Sequence, residues 1–189
     1  MKDIPDADRF AWIPDSGRDG HSFVRRLGIW LLPLLLIGCA SYGGNGLVPG
    51  TSTLAEVLAT MGKPAMQWKN ADQSVQLSYP RGPFGLQSFM VHVGAGGRLE
   101  RIENVLAQPS FAKLKPDLTQ DEVLRTIGPP IADWTMYFPA RRELAWEWRY
   151  CNGRGVSSRF HVLFDSDTGR VRSTMSFDET CVEGGCICN

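Results

Sequence analysis

A segment of twelve residues that occurs twice constrains the fold of this chain more than any other feature of the sequence. Residues 53–64 read TLAEVLATMGKP and residues 119–130 read TQDEVLRTIGPP, so seven of the twelve positions are identical. The two copies are 66 residues apart. An internal repeat of this kind indicates that the chain contains two copies of one supersecondary unit, each of which buries its apolar surface in the same way.

Both copies predict a short helix with defined ends. Thr53 and Glu56 have the spacing of a capping box, in which the hydroxyl and the carboxylate satisfy free backbone N–H groups at a helix start. Apolar residues follow at helical spacing, and Gly62 with a proline two positions later ends the helix. The same pattern runs from Thr119 to Pro130. We expect a helix of about two to three turns in each copy.

Alternating apolar and polar residues after each helix predict strands. In the first copy they cover residues 75–79 and 89–93, before a glycine-rich turn and a further strand. In the second copy Trp146 and Trp148 alternate with charged residues, which indicates that both indoles lie in the core. Trp134 occupies the place of Trp68 at the repeat spacing.

These patterns predict an α+β fold of two tandem repeats. The first repeat covers residues 47–105 and the second covers residues 106–180. Each is expected to be a short helix, or a helical pair, packed on one face of a three- to four-stranded antiparallel sheet.

An apolar run near the amino terminus predicts export. Residues 27–37 are apolar, follow Arg25 and Arg26, and precede Gly38. A run of about 11 residues is too short for a permanent bilayer span, which needs about 20, and the pattern is typical of a secretory signal peptide. Residues 1–38 are therefore left out of the predicted fold. Because residues 1–23 carry five aspartates, unlike a cationic signal start, we hypothesise that translation begins downstream, for example at Val24.

The end of this run, Leu36-Ile37-Gly38-Cys39, resembles a bacterial lipobox. The resemblance implies that the Cys39 sulfur receives a diacylglycerol, that the chain is cut before it, and that the new amino group is acylated. Several acyl chains give a stable anchor. Residues 39–46 would then be a lipidated flexible tether. Ala40 stands where an aspartate would retain such a protein in the inner membrane, so the resemblance implies the periplasmic face of the outer membrane.

The remaining cysteines are Cys151, Cys181, Cys186 and Cys188. In the oxidising periplasm an even set indicates disulfides, and four cysteines allow three pairings. Cys186 and Cys188 flank a single residue, so a bond between them would be strained. We therefore favour Cys151 bonded to one cysteine of the tail at 181–189. A metal site made by the three tail cysteines lacks paired Cys-x-x-Cys spacing and a nearby histidine.

Residues 118–130, with the tryptophan that follows them, resemble the SmpA/OmlA domain of the BamE-like family of outer-membrane-assembly lipoproteins. Both copies have this pattern, over roughly residues 47–105 and 114–178. Members of this family act as an accessory subunit of the machinery that inserts β-barrel proteins into the outer membrane. A tandem pair of such units also resembles the architecture of the beta-lactamase inhibitory protein.

Composition and motifs argue against several functions. Twenty basic residues balance twenty acidic ones, whereas a nucleic-acid-binding protein needs a concentrated basic excess. The sequence contains neither a nucleophile elbow nor a phosphate loop, and His92 and His161 stand without a paired nucleophile. Asp165 and Asp167 suggest a turn rather than a calcium loop, since the twelfth position is Ser176. We expect a protein that is not an enzyme and that needs no cofactor or metal.

Three aromatic residues are the candidate partner contacts. Trp134, Tyr137 and Phe138 lie in a loop-like stretch near Pro139, and exposed loop aromatics are typical anchors of protein interfaces. The main hypothesis is an outer-membrane lipoprotein that binds envelope proteins, including the β-barrel assembly machinery. The alternative is an inhibitor that binds a periplasmic enzyme through a concave tandem surface. A third hypothesis is a binder of peptidoglycan or a small ligand.

Overall fold

The computed structural model describes residues 43–82, 84–180 and 187–188. Over these residues the fold is α+β, with two four-stranded antiparallel sheets and few helices. The chain runs through α1 (Leu54–Met61), β1 (Met66–Lys69), β2 (Val75–Pro80), β3 (Ser88–Val93), β4 (Leu99–Asn104), α2 (Gln108–Phe111), α3 (Gln120–Ile127), β5 (Met136–Phe138), β6 (Glu143–Cys151), β7 (Ser157–Asp165) and β8 (Val171–Asp178). Each sheet is a meander, in the orders β1-β2-β3-β4 and β5-β6-β7-β8.

The predicted helix ends are confirmed in α1 and α3. The Thr53 hydroxyl accepts the Glu56 N–H at 3.2 Å, and the Glu56 carboxylate accepts the Thr53 N–H at 2.7 Å. Thr119 and Glu122 form the same reciprocal pair at 3.3 and 2.7 Å. Both helices end at a glycine with φ of 78°. Because these caps are local in sequence, the twelve-residue pattern was sufficient to place them.

The first sheet buries one face against α1. Val57 and Met61 of α1 share an apolar cluster with Leu77, Tyr79 and residues of β3 and β4. The second sheet is built in the same way, because Val123 and Ile127 of α3 lie in one cluster with residues of β6 and β7. The members of that second cluster include Phe111, Trp148, Tyr150, Phe160, Val162 and Phe164.

The core position of Trp148 is confirmed. Its side chain is 2% exposed, and its indole N–H donates to the Gly128 carbonyl at 3.3 Å. Trp146 packs against the same cluster as a partly buried residue. Phe111 of α2 stacks on Phe160 with ring centroids 3.9 Å apart, so α2 closes one end of this core.

The first sheet is covered on both faces, whereas the sequence predicts a helix on only one. Leu124 of α3 packs against Trp68, Met90 and Val105 on the face turned away from α1. The Trp68 indole N–H also donates to the Asp121 carboxylate at 3.0 Å. Helix α3 therefore serves both sheets, with Val123 and Ile127 directed to its own sheet and Leu124 to the preceding one.

A second set of contacts recurs at the end of each unit. Arg98 donates to the Thr51 carbonyl, and Arg170 donates to the Asp117 carbonyl. Isolated bridges join Thr53 to Arg98 and Thr119 to Arg170. The two arginines are thus equivalent, although they lie outside the repeated twelve residues. Each ties the start of its unit to the start of its last strand.

Two sequence predictions differ from the structure. Tyr137 and Phe138 belong to strand β5 and not to a loop. Trp134 lies in a 3-10 turn, Ala132–Trp134, and is not equivalent to Trp68, which is a buried residue of β1. The two aromatic positions diverge because the segment after Gly128 enters a turn before its first strand begins.

The amino-terminal predictions lie outside the described residues. These are the signal peptide at 1–38, the start at Val24, and lipidation at Cys39. Within the expected tether, Gly44 is buried, and a Cβ there would lie 2.5 Å from the Ile102 side chain. The chain at Gly44 therefore already packs against the first sheet. None of the described helices is long and apolar enough to cross a membrane.

The described end of the tail lies beside the β6–β7 hairpin. Cys151 and Cys188 have their sulfur atoms 2.12 Å apart, which joins them as a disulfide. Ile187 forms a bridge with Val156, and the Cys188 N–H donates to the Gly155 carbonyl at 3.0 Å. Cys181 and Cys186 are outside the described residues.

Candidate functional site

The second sheet has one face turned away from α3, which we call the outer face. The strand register places the following residues on it: Ala145, Glu147, Arg149, Arg159, His161, Leu163, Met175 and Phe177. None of the three buried apolar clusters of the described residues lies on this side. Ala145 and Glu147 are nevertheless buried on this side, whereas Met175 and Phe177 of β8 are each 48% exposed. Among the described residues, the part of the outer face along β8 is therefore available for contact with another molecule.

Register identifies the counterpart of the outer face in the first sheet. Both sheets have a register shift near the end of the third strand, after which Val93 pairs with Leu99 and Phe164 pairs with Val171. Counting back from these pairs makes Met90 equivalent to His161. Met90 is 1% exposed because Leu124 of α3 lies on it. The outer face thus corresponds to the surface that α3 covers in the first sheet.

The two equivalent faces differ in chemistry at their centres. In the first sheet Ser78 and Ser88 are buried, and Gly128 approaches so closely that a Cβ there would lie 2.8 and 2.9 Å from their hydroxyl oxygens. In the second sheet the corresponding positions are Glu147 and Arg159. These long charged side chains occupy the space that a helix end fills in the first sheet. The outer face is therefore not built to accept a further α3-like helix.

A network of ion pairs fixes the centre of the outer face. Arg159 binds Glu147 at 2.9 Å and Glu179 at 3.3 Å. Arg149 donates two hydrogen bonds to the Glu179 carboxylate, at 2.8 and 2.6 Å, and the Ser157 hydroxyl donates a third at 2.7 Å. Two guanidinium groups and two carboxylates balance in charge, and each holds the others in one orientation.

The pKa values of the acids in this network move in opposite directions. The Arg149 guanidinium is the main cause that lowers the pKa of Glu179 to about 2. Burial raises the pKa of Glu147, against the attraction of Arg159. Burial, and then the charge of Arg159, lower the pKa of His161. At neutral pH His161 is therefore uncharged, while Glu179 remains ionised.

Aromatic residues border the network on two sides. The Arg159 guanidinium lies 4.1 Å from the centroid of the Trp134 ring, and Phe84 contacts Trp134 with centroids 5.3 Å apart. Phe177 stacks on His161 at 4.9 Å. Between these rings is an open groove of about 680 Å³, which is lined by Phe84, Trp134, Arg149, Arg159, Phe177 and Glu179.

The three predicted contact residues separate in the structure. Trp134 lies at the outer face. Phe138 pairs with Glu143 and so faces the same side of the sheet, with the Arg141 guanidinium 4.7 Å from its ring centroid. Tyr137 pairs with Leu144, whose side chain packs toward the core. Tyr137 therefore faces the core side of the sheet and not the outer face, and its side chain is about half exposed there.

Some outer-face residues can be recognised from the sequence and others cannot. The alternation of β6 showed that Glu147 and Arg149 lie opposite the tryptophans, which is a signal for a charged face. Nothing in the sequence links Phe84, in the loop between β2 and β3, to Trp134 of the other unit, because that contact arises only from packing between the units.

The turn at Asp165 satisfies its own backbone. The Asp165 carboxylate accepts the N–H groups of Asp167 and Thr168 at 3.0 and 2.9 Å. Bonds from Arg172, followed by that from the Thr168 N–H, lower its pKa to about 2. Across the described residues, no group of three histidine, cysteine or acidic side chains is placed to hold a metal ion.

Comparisons with protein-family models, with curated protein sequences and with solved structures found no match.

Ionisation of Glu179 should make the free energy of unfolding depend on pH in the acidic range. Its pKa falls from an ordinary 4.5 to about 2 on folding, so its stabilising contribution is complete above pH 4.5 and is lost as the pH falls through about 2. We expect Glu179→Gln to be less stable than the wild type at pH 7, with the difference shrinking below pH 4.5. Urea unfolding followed by circular dichroism across this range measures it. Parallel stability curves for the two proteins would contradict the assignment.

Proposed function

We propose that the protein is an outer-membrane lipoprotein that acts as a non-catalytic protein-interaction module in envelope or outer-membrane protein assembly. One observation carries the proposal: the outer face of the second sheet corresponds to the face that holds α3 in the first sheet, and no described α-helix packs over it. In the first sheet that surface binds another part of the chain, helix α3. In the second sheet the corresponding surface is available to a separate protein.

The proposal includes a duplicated architecture, in which a helix-on-sheet unit occurs twice in tandem. The matching capping boxes, the equivalent contacts of Arg98 and Arg170, and the matching register shifts support it. In repeated structures each unit covers its neighbour and the terminal unit presents a different surface. The replacement of Ser78 and Ser88 by Glu147 and Arg159 is such a change at the terminal unit.

The chemistry of the outer face fits a protein partner. Arginine, methionine and aromatic residues are enriched in protein interfaces, and this surface combines them around Trp134 and Arg159. Met136, Met175 and Phe177 are each about half exposed at its borders. Because the ion pairs already fix Arg149 and Arg159, binding would cost little ordering of these long side chains.

The polar groups of the outer face favour binding over catalysis. Burial and Arg159 lower the pKa of His161, and its Nε2 lies 3.7 Å from Glu147, beyond a hydrogen bond. The Ser157 hydroxyl of the network is buried and donates to Glu179. A nucleophile needs an adjacent base that accepts its proton, and Glu179 holds its negative charge through two arginines.

The location rests on the resemblance of residues 36–39 to a lipobox, and the process on the resemblance of residues 118–130 to the BamE-like family. Both resemblances support a location at the periplasmic face of the outer membrane. A partner in this location would be an envelope protein, including subunits of the β-barrel assembly machinery.

Site-specific photo-crosslinking in intact cells tests the proposal. A crosslinker at Met175, on the outer face, should capture envelope proteins, including β-barrel assembly subunits. The matched control is a crosslinker at Leu58, which is 38% exposed on α1, away from the outer face. We expect capture from position 175 and not from position 58, and a marked loss of capture in the Cys39→Ser form.

Two results would overturn the proposal. Equal capture from both positions would show that the outer face has no special role. Capture of a single soluble periplasmic enzyme, unchanged by Cys39→Ser, would instead support the inhibitor hypothesis.

A further inference from the structure

Strand β8 forms a long free edge of the second sheet. Each meander has two edge strands, which gives β1, β4, β5 and β8. Along such an edge, alternate residues direct unpaired N–H and C=O groups outward, so it can pair with any extended chain. On the free side of β8, Val171 is bonded through its backbone to Asp117 and Leu118, and no described strand pairs with the rest of that side. Strand β8 is also the longest of the four, with eight residues.

The other three edges carry features that oppose pairing. Strand β1 has four residues and ends in Lys69, and β5 has three residues and is followed directly by Pro139. Strand β4 has six residues, three of which are charged. Short length, charge and proline are the usual means by which proteins protect sheet edges. In β8, residues 173–177 read STMSF and contain none of them.

The side chains of β8 define two different surfaces beside this edge. Met175 and Phe177 project onto the outer face, and each is 48% exposed. Phe177 is held in place by stacking on His161. On the opposite face are Thr174 and Ser176, and the Ser176 hydroxyl is bonded to the Tyr150 hydroxyl at 2.5 Å. An added strand would therefore meet apolar side chains on one face and hydroxyl groups on the other.

We propose that β8 binds an extended segment of a partner protein, with apolar side chains at every second position, as a fifth strand of the second sheet. The inference rests on the proposed protein-binding function and specifies how part of the partner is held. Main-chain hydrogen bonds to β8 supply the attraction, and Met175 with Phe177 select the apolar face of the segment. An unpaired strand from an incompletely folded β-sheet protein has this chemistry.

The charged residues at the two ends of β8 limit the length and the charge of the partner segment that can bind between them. Arg172 is bonded to Asp165, and Asp178 is bonded to Asn152, Ser158 and Arg154, so both charged groups already have partners. The central residues 173–177 offer neither sign of charge. The structure therefore selects an uncharged segment of about five residues, since each strand residue opposes one residue of its neighbour.

The test uses the purified full-length protein and a fluorescent synthetic peptide in which threonine and valine alternate between terminal lysines. We expect saturable binding, measured by fluorescence anisotropy. A peptide of the same composition with its valines grouped together, and an alternating peptide with a fully N-methylated backbone, should each bind at least about tenfold more weakly. The variant Met175→Lys places a charge at the centre of the edge and should weaken binding of the alternating peptide by about tenfold.

Leu58→Lys is the matched control, because it makes the same kind of change on α1. It should bind the peptide like the wild type. Circular dichroism spectra and thermal unfolding of both variants show that each is folded. The proposal is wrong if the alternating peptide does not bind, if N-methylation has no effect, or if Met175→Lys binds like Leu58→Lys.

Two further measurements separate this inference from related ones. If the crosslinker at Met175 still captures envelope proteins while the peptide test fails, the outer face binds its partner without β8, and only the strand-addition inference falls. If sedimentation shows a dimer of the wild type that Met175→Lys dissociates, the occupant of the edge is a second copy of this chain, which would also overturn the inference.

Discussion

Replacement of Gly128 by alanine is expected to lower the free energy of unfolding by about 2–4 kcal/mol, through positive-φ strain and overpacking. Gly128 has φ of 78° at the end of α3, a conformation that alanine adopts with strain. Its added Cβ would also lie 2.8 Å from Ser78 Oγ and 2.9 Å from Ser88 Oγ, both in the first sheet. Urea unfolding followed by circular dichroism measures the change.

Gly50→Ala separates the two causes. Gly50 also has φ of 78°, but a Cβ there would meet no atom within 4 Å. We expect this control to lose only the strain contribution, about 1–2 kcal/mol. A loss from Gly50→Ala equal to that from Gly128→Ala would show that close packing between the two units contributes nothing.

The serines provide a second check on the same contact. Neither the Ser78 nor the Ser88 hydroxyl has a hydrogen-bond partner among the described residues, so replacing both by alanine in the wild type should change stability little. In the Gly128→Ala background the same replacements remove the two oxygens that the new methyl group would approach. They should therefore restore part of the lost stability, and additive effects would contradict the proposed contact.

Trp148→Ala is expected to have the largest effect on stability, a loss of about 3–5 kcal/mol. The Trp148 side chain is 2% exposed at the centre of the second core, and its removal leaves a cavity between α3 and the sheet. The loss of its hydrogen bond to the Gly128 carbonyl adds to the cost. Equilibrium unfolding in urea at neutral pH gives the value.

Trp134→Ala is the matched control, because it removes the same side chain from the outer face. Trp134 is half-buried and contacts Arg159 and Phe84, so we expect a loss of about 0.5–1.5 kcal/mol from its ring contacts. Crosslinking from position 175 should decrease in Trp134→Ala. If Trp134→Ala destabilised the protein as strongly as Trp148→Ala, Trp134 would be a core residue and not a residue of a binding surface.

The sequence was most informative where structure depends on neighbouring residues. The ends of α1 and α3 follow from Thr, Glu and Gly at fixed spacing, and the alternation of β6 correctly assigned Trp146 and Trp148 to the core. These features need only local hydrogen bonds and one apolar face.

Prediction failed where one unit meets the other. The helical spacing of α3 does not show that Leu124 packs on the first sheet while Val123 and Ile127 pack on the second. The spacing that equated Trp134 with Trp68 could not show that the chain turns after Gly128. The groove beside Trp134 also depends on Phe84, which is distant in sequence, so its existence follows only from the packed structure.

Under the proposed lipidation of Cys39, the burial of Gly44 would limit how far the protein can reach from the membrane. If Cys39 carries the lipid, five residue steps separate the anchor from a residue that already packs against Ile102. A fully extended chain advances about 3.6 Å per residue, so the segment from Cys39 to Gly44 spans at most about 18 Å. The first sheet would then remain close to the lipid headgroups. A partner located deep in the periplasm would have to approach the bilayer to be bound, which makes membrane proximity itself a condition for recognition.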